Sequence, residues 1–541
     1  MRSTWSRRTS TDRNEGGLKT QFHIADLFET VADAVPDRLA IQGPDESLTY
    51  RELDDRSDAL ARGLLAQGIV RGDHVGLYMR NRAEYLEAYL AAIKIGAVPF
   101  NVNYRYQRAE LLYLFQNADA ACIVHDGEYT APVDELRAQL PKLKLAVCAD
   151  GDDGLSINYD SLLIPGEKQR YERSEDDYML LYTGGTTGMP KGVMWPHKAF
   201  FYGCAGGAGY FHPAGPIAAP EDIRSRAAEG PPLKMFTIAP LMHGAAIWSA
   251  WTALLAGLTV VLDRSIAFDP AAIWDRVDRD QANLIQVVGD AMAIPLRDAL
   301  RDHPGRWSLT SVYNFGSGGA LFSPHVQDDL LNLLPNAAIT NGMGASETGT
   351  SLSVKATDGG MLRVPCDYTQ RIFVSDRFAE PGEIGLIGRS GHVPVGYYND
   401  PEKTAETFRT IDGRNWAITG DSGYVDGDGM INFLGRGSNC INSGGEKIFP
   451  EEVERELRAH PAILDALVVG IDDERWGQKV AAVVSLRDRH DRPEPAAIAD
   501  FIKRRLAAYK TPRTIVWADT IQRSAAGKPD YAWAKQQVEA A

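Results

Sequence analysis

Helical and extended patterns alternate along the first 130 residues. TYRELDDRSDALARGLLAQG sets Leu53, Leu60 and Leu64 on one helical stripe, and the T-x-x-E spacing of Thr49 and Glu52 is a capping box that starts this helix. HVGLYM then reads as a strand, AEYLEAYLAAIKIG as a helix, and VPFNVN and ACIVHD as further strands. This rhythm predicts an α/β chain, its large N-terminal body made of several subdomains whose mainly parallel sheets are covered by helices. Beyond the Gly- and Asp-rich turn sequence GDSGYVDGDGMINFLGRGS the pattern changes. PEEVERELRAHPAI reads as a helix, LDALVVGI and KVAAVVSL as strands, PAAIADFIKRRLA as a helix and TIVWAD as a strand before the loop SAAGKPD, which predicts a smaller, mobile α+β C-terminal domain. The expected division is a disordered tail over residues 1–20, an N-terminal domain over 21–435 and a C-terminal domain over 436–541.

Two stretches change the picture. Ala245 to Leu262, AAIWSAWTALLAGLTVVL, carries no charge over 18 residues and must be weighed as a membrane span. Gly257 interrupts it and LTVVLD is β-branched, so a buried helix, turn and strand is the expectation, with no transmembrane segment. His212 to Pro232, HPAGPIAAPEDIRSRAAEGPP, reads as a long flexible loop that could line or cover a pocket. At 541 residues and 44% apolar side chains the chain is too long for one small module and too apolar for wholesale disorder. With 72 acidic against 57 basic side chains, the net charge of −15 disfavours nucleic acid and anionic membranes as partners. The five cysteines are widely spaced without a CxxC pair, which argues against a disulfide framework and for a reducing cytoplasm. The first 17 residues hold four arginines but no apolar run behind them, so they lack the core of a secretory signal.

The chemistry concentrates in YTGGTTGMPKG, Tyr182 to Gly192. Glycines let backbone amides approach an anion, threonine hydroxyls add donors and the lysine adds charge, which together describe a phosphate cradle. It is not a Walker A loop, because no hydroxyl residue follows Lys191. Here the chain resembles the adenylate-forming superfamily of acyl-CoA synthetases, luciferases and peptide-synthetase adenylation domains. Tyr182 to Gly192 is similar to the family's phosphate loop, GMGASETG (Gly342 to Gly349) to its adenine and magnesium segment, and TGDSGYVDGDG (Thr419 to Gly429) to its ribose segment. GRGSNCINSGGEKIFPEEVE resembles the hinge and thioester-forming loop, and SAAGKPD the loop bearing the catalytic lysine.

The resemblance implies roles for individual residues. Thr183, Thr186, Thr187 and Lys191, spaced by Gly184, Gly185 and Gly188, would hold ATP phosphates, and Thr187 would act in catalysis. Glu347 would bind Mg²⁺ and Ser346 would offer a hydroxyl to the α-phosphate. Gly318 and Gly319 would floor the adenine site, beside Met343 and Gly344, while Asp421 and Arg436 would hold the ribose. Gly444 and Gly445 would serve the coenzyme A step, and Lys528 would contact the substrate carboxylate and α-phosphate. His243, in PLMHG, would gate or orient the acyl substrate. Trp248 and Trp251, one turn apart, could line an apolar pocket or form a core stripe. Cys204 and Cys440 read as ordinary small side chains without a covalent role. Three positions depart from the family: Gly184 replaces serine, Met343 replaces the tyrosine against adenine, and Ser438 replaces the hinge aspartate or lysine.

The implied activity is an ATP-dependent acid:CoA ligase of lipid metabolism, with ATP, Mg²⁺ and coenzyme A required. A small-molecule carboxylic acid reacts with ATP to give acyl-AMP and pyrophosphate, and coenzyme A then displaces AMP. MLLYTGGTTGMPKGVMW, PVGYYNDPEKTAETFRT, INSGGEKIFPEEVE and AGKPDYAWAKQQ resemble bacterial fatty-acyl and steroid side-chain CoA ligases, which implies a bulky apolar acid. The alternatives are transfer of the acyl group to a carrier protein, a non-catalytic nucleotide-binding protein of the same fold, and a luciferase-like oxygenase. A homodimer is left open.

Overall fold

The computed structural model describes residues 20–541 apart from 45, 152, 184–188, 210–213, 266, 321, 355–362, 437–438, 444–445, 474–476, 489, 491 and 524–527; at 343, 351–354, 436, 442 and 446–447 it describes the backbone alone. The tail expected over residues 1–20 lies outside the described residues except for its last position.

The capping box forms as expected. Thr49 N donates to Glu52 Oε2 at 2.7 Å, Glu52 N donates to Thr49 Oγ1 at 3.2 Å, and helix Tyr50–Ala66 buries Leu53, Leu60 and Leu64. The strands of this region enter an eight-stranded sheet in the order Gly396–Tyr397, Lys191–Pro196, Tyr178–Thr183, Val98–Asn101, His74–Tyr78, Ala120–His125, Leu145–Cys148, Ile157–Asn158. Pairing is parallel from Tyr178–Thr183 onward, and Lys191–Pro196 pairs antiparallel on both sides. A second eight-stranded sheet has a parallel interior that includes Lys234–Thr237, Leu284–Val287, Asn314–Gly318 and Ala338–Ala345, with an antiparallel strand at each edge. Buried strands of this kind read as continuous apolar runs, which is how ACIVHD and LTVVLD could be recognised. A third, antiparallel sheet holds Arg414–Val425 and Met430–Arg436.

The C-terminal segment builds its own five-stranded sheet, in which Ile463–Asp473 and Gly477–Leu486 pair antiparallel and Thr514–Trp517 adds in parallel. One face packs Val453, Leu457 and Ile498 on Val468 and Val480, and the other packs Ala534 and Val538 on Leu467 and Val483. It touches the body where Arg487 lies 3.3 Å from His325. The whole is an α/β body with parallel sheets and a smaller α+β C-terminal unit.

The uncharged stretch is a helix, Gly244–Leu255, a turn, and the strand Thr259–Val261. Gly257 takes φ +73°, its N–H donates to Leu254 O at 3.2 Å, and Leu258 N donates to Ala253 O at 2.9 Å. This paired closure needs a left-handed residue just past the helix, which glycine supplies without steric cost. Among the described residues no helix is long and apolar enough to cross a membrane.

Two expectations need correction. The stretch from His212 to Pro232 is not a loop throughout, because Asp222–Glu229 is a helix that buries Ile223 and Ala227, one turn apart. Arg226 Nη1 donates to Gly215 O at 2.6 Å and ties down the chain before it. GDSGYVDGDGMINFLGR is chiefly a hairpin, its strands separated only by residues 426–429, where Asp426 Oδ1 accepts from the amides of Asp428 and Met430 at 3.0 Å.

Candidate active site

Parallel strands end at one rim, and a cavity of about 1940 Å³ opens there. Thr183, Lys191, His243, Gly318, Gly319, Gly344, Ser346, Glu347, Asp421 and Lys528 all line it. Gly184, Gly185, Thr186, Thr187, Gly188, Ser438, Gly444 and Gly445 lie outside the described residues, and for Met343 and Arg436 only the backbone is described.

Each strand delivers its residue for a local reason. Tyr178–Thr183 and Lys191–Pro196 form a hairpin in which Thr183 pairs with Lys191, so the Gly- and Thr-rich connection leaves and returns at the rim with its lysine beside its first threonine. Lys191 Nζ lies 3.0 Å from Asp400 Oδ2 and 5.6 Å from the centroid of the Tyr397 ring. Ala338–Ala345 and Gly349–Val354 form a second hairpin, with Ser346 and Glu347 in its turn. Ala345 N donates to Thr348 Oγ1 at 3.0 Å and Trp195 Nε1 donates to Ser346 O at 2.8 Å, which pins the turn from both sides. Gly349 closes the turn at φ +70°, where a Cβ would stand 2.5 Å from Gly203 O. Glu347 Oε1 accepts a 2.8 Å hydrogen bond from Tyr397 Oη.

Gly318 pairs with Gly342 across neighbouring strands, leaving a flat backbone surface at the cavity wall. A Cβ on Gly318 would meet Gly342 O at 3.4 Å and Gln286 Nε2 at 3.9 Å, ordinary contacts without a clash. Asp421 sits inside a strand, paired with Arg436, and its Oδ2 accepts from Thr419 Oγ1 at 3.0 Å. It is therefore not a turn residue, and its carboxylate is presented from a rigid backbone.

His243 precedes helix Gly244–Leu255, with its Nε2 buried and, among the described residues, without a hydrogen-bond partner. Burial, helped by the positive charges of Lys528 and Arg105, pushes its pKa down to about 4, so the ring is neutral at pH 7. Lys528 is thus close enough to act electrostatically on His243 although 285 positions separate them in the chain. Asn101 links the two walls: its Nδ2 donates to Tyr182 O at 2.9 Å and Met242 O at 2.6 Å, and its Oδ1 accepts from Tyr182 N at 2.7 Å.

The cavity wall also carries the apolar side chains Phe201, Ile217, Ile223, Met235, Trp248 and Leu255, with Arg226 and Glu229 among them. The two tryptophans divide: Trp248 faces the cavity, whereas Trp251 is fully buried, 5.3 Å from the Tyr89 ring and 6.5 Å from Phe28. Cys204 also lines the wall, and burial holds its thiol well above the ordinary range, which suits packing rather than nucleophilic attack. Asn101, Trp195, Tyr397 and Asp400 are site-building residues that the sequence reading did not assign. Asp400 alone had a local signal, an Asp-Pro helix start, and it does cap Pro401–Thr407 by accepting from Lys403 N at 3.0 Å.

The comparisons with known proteins agree with this geometry. The AMP-binding enzyme family model matches residues 28–379, and the AMP-binding enzyme C-terminal domain model matches residues 452–528. A medium/long-chain-fatty-acid–CoA/3-oxocholest-4-en-26-oate–CoA ligase of Mycobacterium marinum is 44% identical, covering 97% of this chain and 98% of its own. A 3-oxocholest-4-en-26-oate–CoA ligase of Rhodococcus rhodochrous is 40% identical over 95% of this chain and 96% of its own. In fold, the anthranilate CoA ligase AuaEII, solved with anthranoyl-AMP, superposes with a TM-score of 0.81 at 22% identity, over 96% of this chain and 98% of that one.

Proposed function

The chain belongs to the AMP-binding enzyme family, and from that premise we propose that it is an AMP-forming acid:CoA ligase acting on a bulky apolar carboxylic acid, a fatty acid or a steroid side-chain acid. The observation that supports this reading is one cavity lined by Thr183 and Lys191, the Glu347 carboxylate, Lys528, His243 and a set of apolar side chains that includes Phe201, Met235 and Trp248.

A carboxylate is a poor electrophile, and transfer of AMP to it creates a mixed anhydride that a thiol can attack. Adenine fits the flat Gly318–Gly342 surface and ribose hydroxyls suit Asp421, while Lys191, Thr183 and the Gly- and Thr-rich connection suit the β- and γ-phosphates that depart as pyrophosphate. Mg²⁺ fits Glu347, because this ion takes one or two carboxylates plus phosphate oxygens, and Glu347 lines the cavity that also holds Thr183 and Lys191. When bound, the ion neutralises phosphate charge. Lys528 neutralises the carboxylate and α-phosphate as they approach each other, and it comes from the C-terminal unit, which we assign to residues 436–541. Withdrawal of that unit after adenylation gives coenzyme A access to the acyl carbon. Neutral His243 orients the acyl carboxyl in the cavity whose wall carries these apolar side chains. Acyl transfer to a carrier protein would share every step up to the adenylate.

The test is carboxylate-dependent pyrophosphate release over short, medium and long-chain, aromatic and steroid acids, with and without coenzyme A. Multiple turnovers that require coenzyme A and yield the thioester of a long-chain or steroid acid are expected. Adenylate formation indifferent to coenzyme A would favour a carrier protein, and silence across the panel would reject the enzymatic reading.

A further inference from the structure

Tyr397 ends the short strand Gly396–Tyr397, paired with the strand that begins at Lys191, and is 6% exposed. Its backbone is fixed: Tyr397 N donates to Thr404 Oγ1 at 2.9 Å, and Thr404 Oγ1 donates to Asp400 O at 2.7 Å. Its ring is fixed by Phe408, edge-on at 5.5 Å. From this anchored position it reaches Lys191 and Glu347. The face of the ring lies under Lys191 Nζ at 5.6 Å, within the range of cation–π attraction, and the hydroxyl donates to Glu347 Oε1 at 2.8 Å.

We propose that Tyr397 is a positioning residue for adenylation, orienting the Glu347 carboxylate for the metal through its hydroxyl while its ring and Asp400 hold Lys191 in reach of the phosphates. The inference rests on the metal and phosphate roles proposed above for Glu347 and Lys191. A donor to one carboxylate oxygen fixes the carboxylate plane and leaves lone pairs for the cation, which is how outer partners tune a ligand's affinity. Asp400 divides its charge between Lys403 N and Lys191, so an arriving polyphosphate competes with one half-buried carboxylate for the lysine.

The test uses the full chain as wild type, Tyr397→Phe and Glu347→Gln. Tyr397→Phe keeps the ring, the packing and the lysine contact and removes only the hydroxyl. Mn²⁺ binding in the presence of a nonhydrolysable ATP analogue is followed by electron paramagnetic resonance. Tyr397→Phe should weaken Mn²⁺ about tenfold. It should raise the Mg²⁺ half-saturation of adenylation equally, recover kcat at saturating Mg²⁺, and leave the melting temperature and thioester formation from preformed acyl-AMP unchanged. Mn²⁺ affinity within about twofold of wild type, or equal loss in both half-reactions, would overturn the proposal. If Glu347→Gln weakens Mn²⁺ and Tyr397→Phe does not, the Tyr397 role alone fails. If neither does, the metal role of Glu347 fails first.

Discussion

At the scale of single residues, the site works by bringing opposite charges together only where the chain is rigid. Lys191 and Glu347 stand on hairpins, Asp421 stands within a strand, and His243 precedes a buried helix. Lys528 differs, since it comes from the C-terminal unit, and its proposed charge is needed in one half-reaction only. Lys528→Ala should therefore slow adenylate formation at least about 100-fold while leaving thioester formation from preformed acyl-AMP within about threefold. Single-turnover measurement of each half-reaction separates these, and equal loss in both would reject the role. Lys191 was singled out by the composition of its own motif, whereas Glu347 and Lys528 were assigned through the family resemblance alone. Tyr397 was not legible, because a tyrosine in a mixed polar segment has no local signature, and its two contacts come from residues 50 and 206 positions away. Asn101 was hidden for the same reason, within an apolar strand whose pattern speaks only of burial.

At the scale of elements, periodicity located helices and strands well where one rule dominated. Capping chemistry started Tyr50–Ala66, and a left-handed glycine stopped Gly244–Leu255. It failed over His212 to Pro232, where Pro and Gly suggested a loop and an eight-residue helix with two buried side chains was too short to stand out. Spacing alone also could not divide Trp248 from Trp251, since residues three apart share a face whether that face meets core or cavity. The structure separates them, and their substitutions should follow. Trp251→Ala should cost about 3–5 kcal/mol of stability in urea unfolding, whereas Trp248→Ala should cost less than half as much and shift preference toward bulkier acids.

His23 and His197 are fully buried with rings stacked 3.7 Å apart, and His197 Nδ1 accepts from Ile24 N at 3.3 Å. Burial, with Arg173 and Arg71 nearby, lowers the His197 pKa to about 3, against an ordinary value of 6.5. Below pH 6.5 the unfolded chain binds a proton that the folded chain refuses, so this group makes stability fall as pH drops from 6.5 toward 3. Between pH 7 and 5 the loss from His197 alone is about 2 kcal/mol. His197→Gln should flatten the decline in urea midpoint over that interval by a corresponding amount, and an unchanged pH slope would contradict the assignment.

At the scale of the whole molecule, the sequence pattern conveyed the α/β body and the smaller terminal unit, because sheets buried on both faces and the change near Gly435 leave wide traces. The way the four sheets converge was not legible: Thr183, Gly318, Glu347 and Lys528 meet through strand order and domain contact, which no local pattern encodes. That convergence joins nucleotide chemistry to a set of apolar side chains and supports activation of an apolar acid through an adenylate. The most direct measurement is isotope transfer. With a long-chain or steroid acid labelled with ¹⁸O in both carboxylate oxygens, plus ATP, Mg²⁺ and coenzyme A, the account predicts one ¹⁸O in the AMP released and none in the pyrophosphate. Label appearing in inorganic phosphate with ADP formed, or thioester formed with unlabelled AMP, would contradict it.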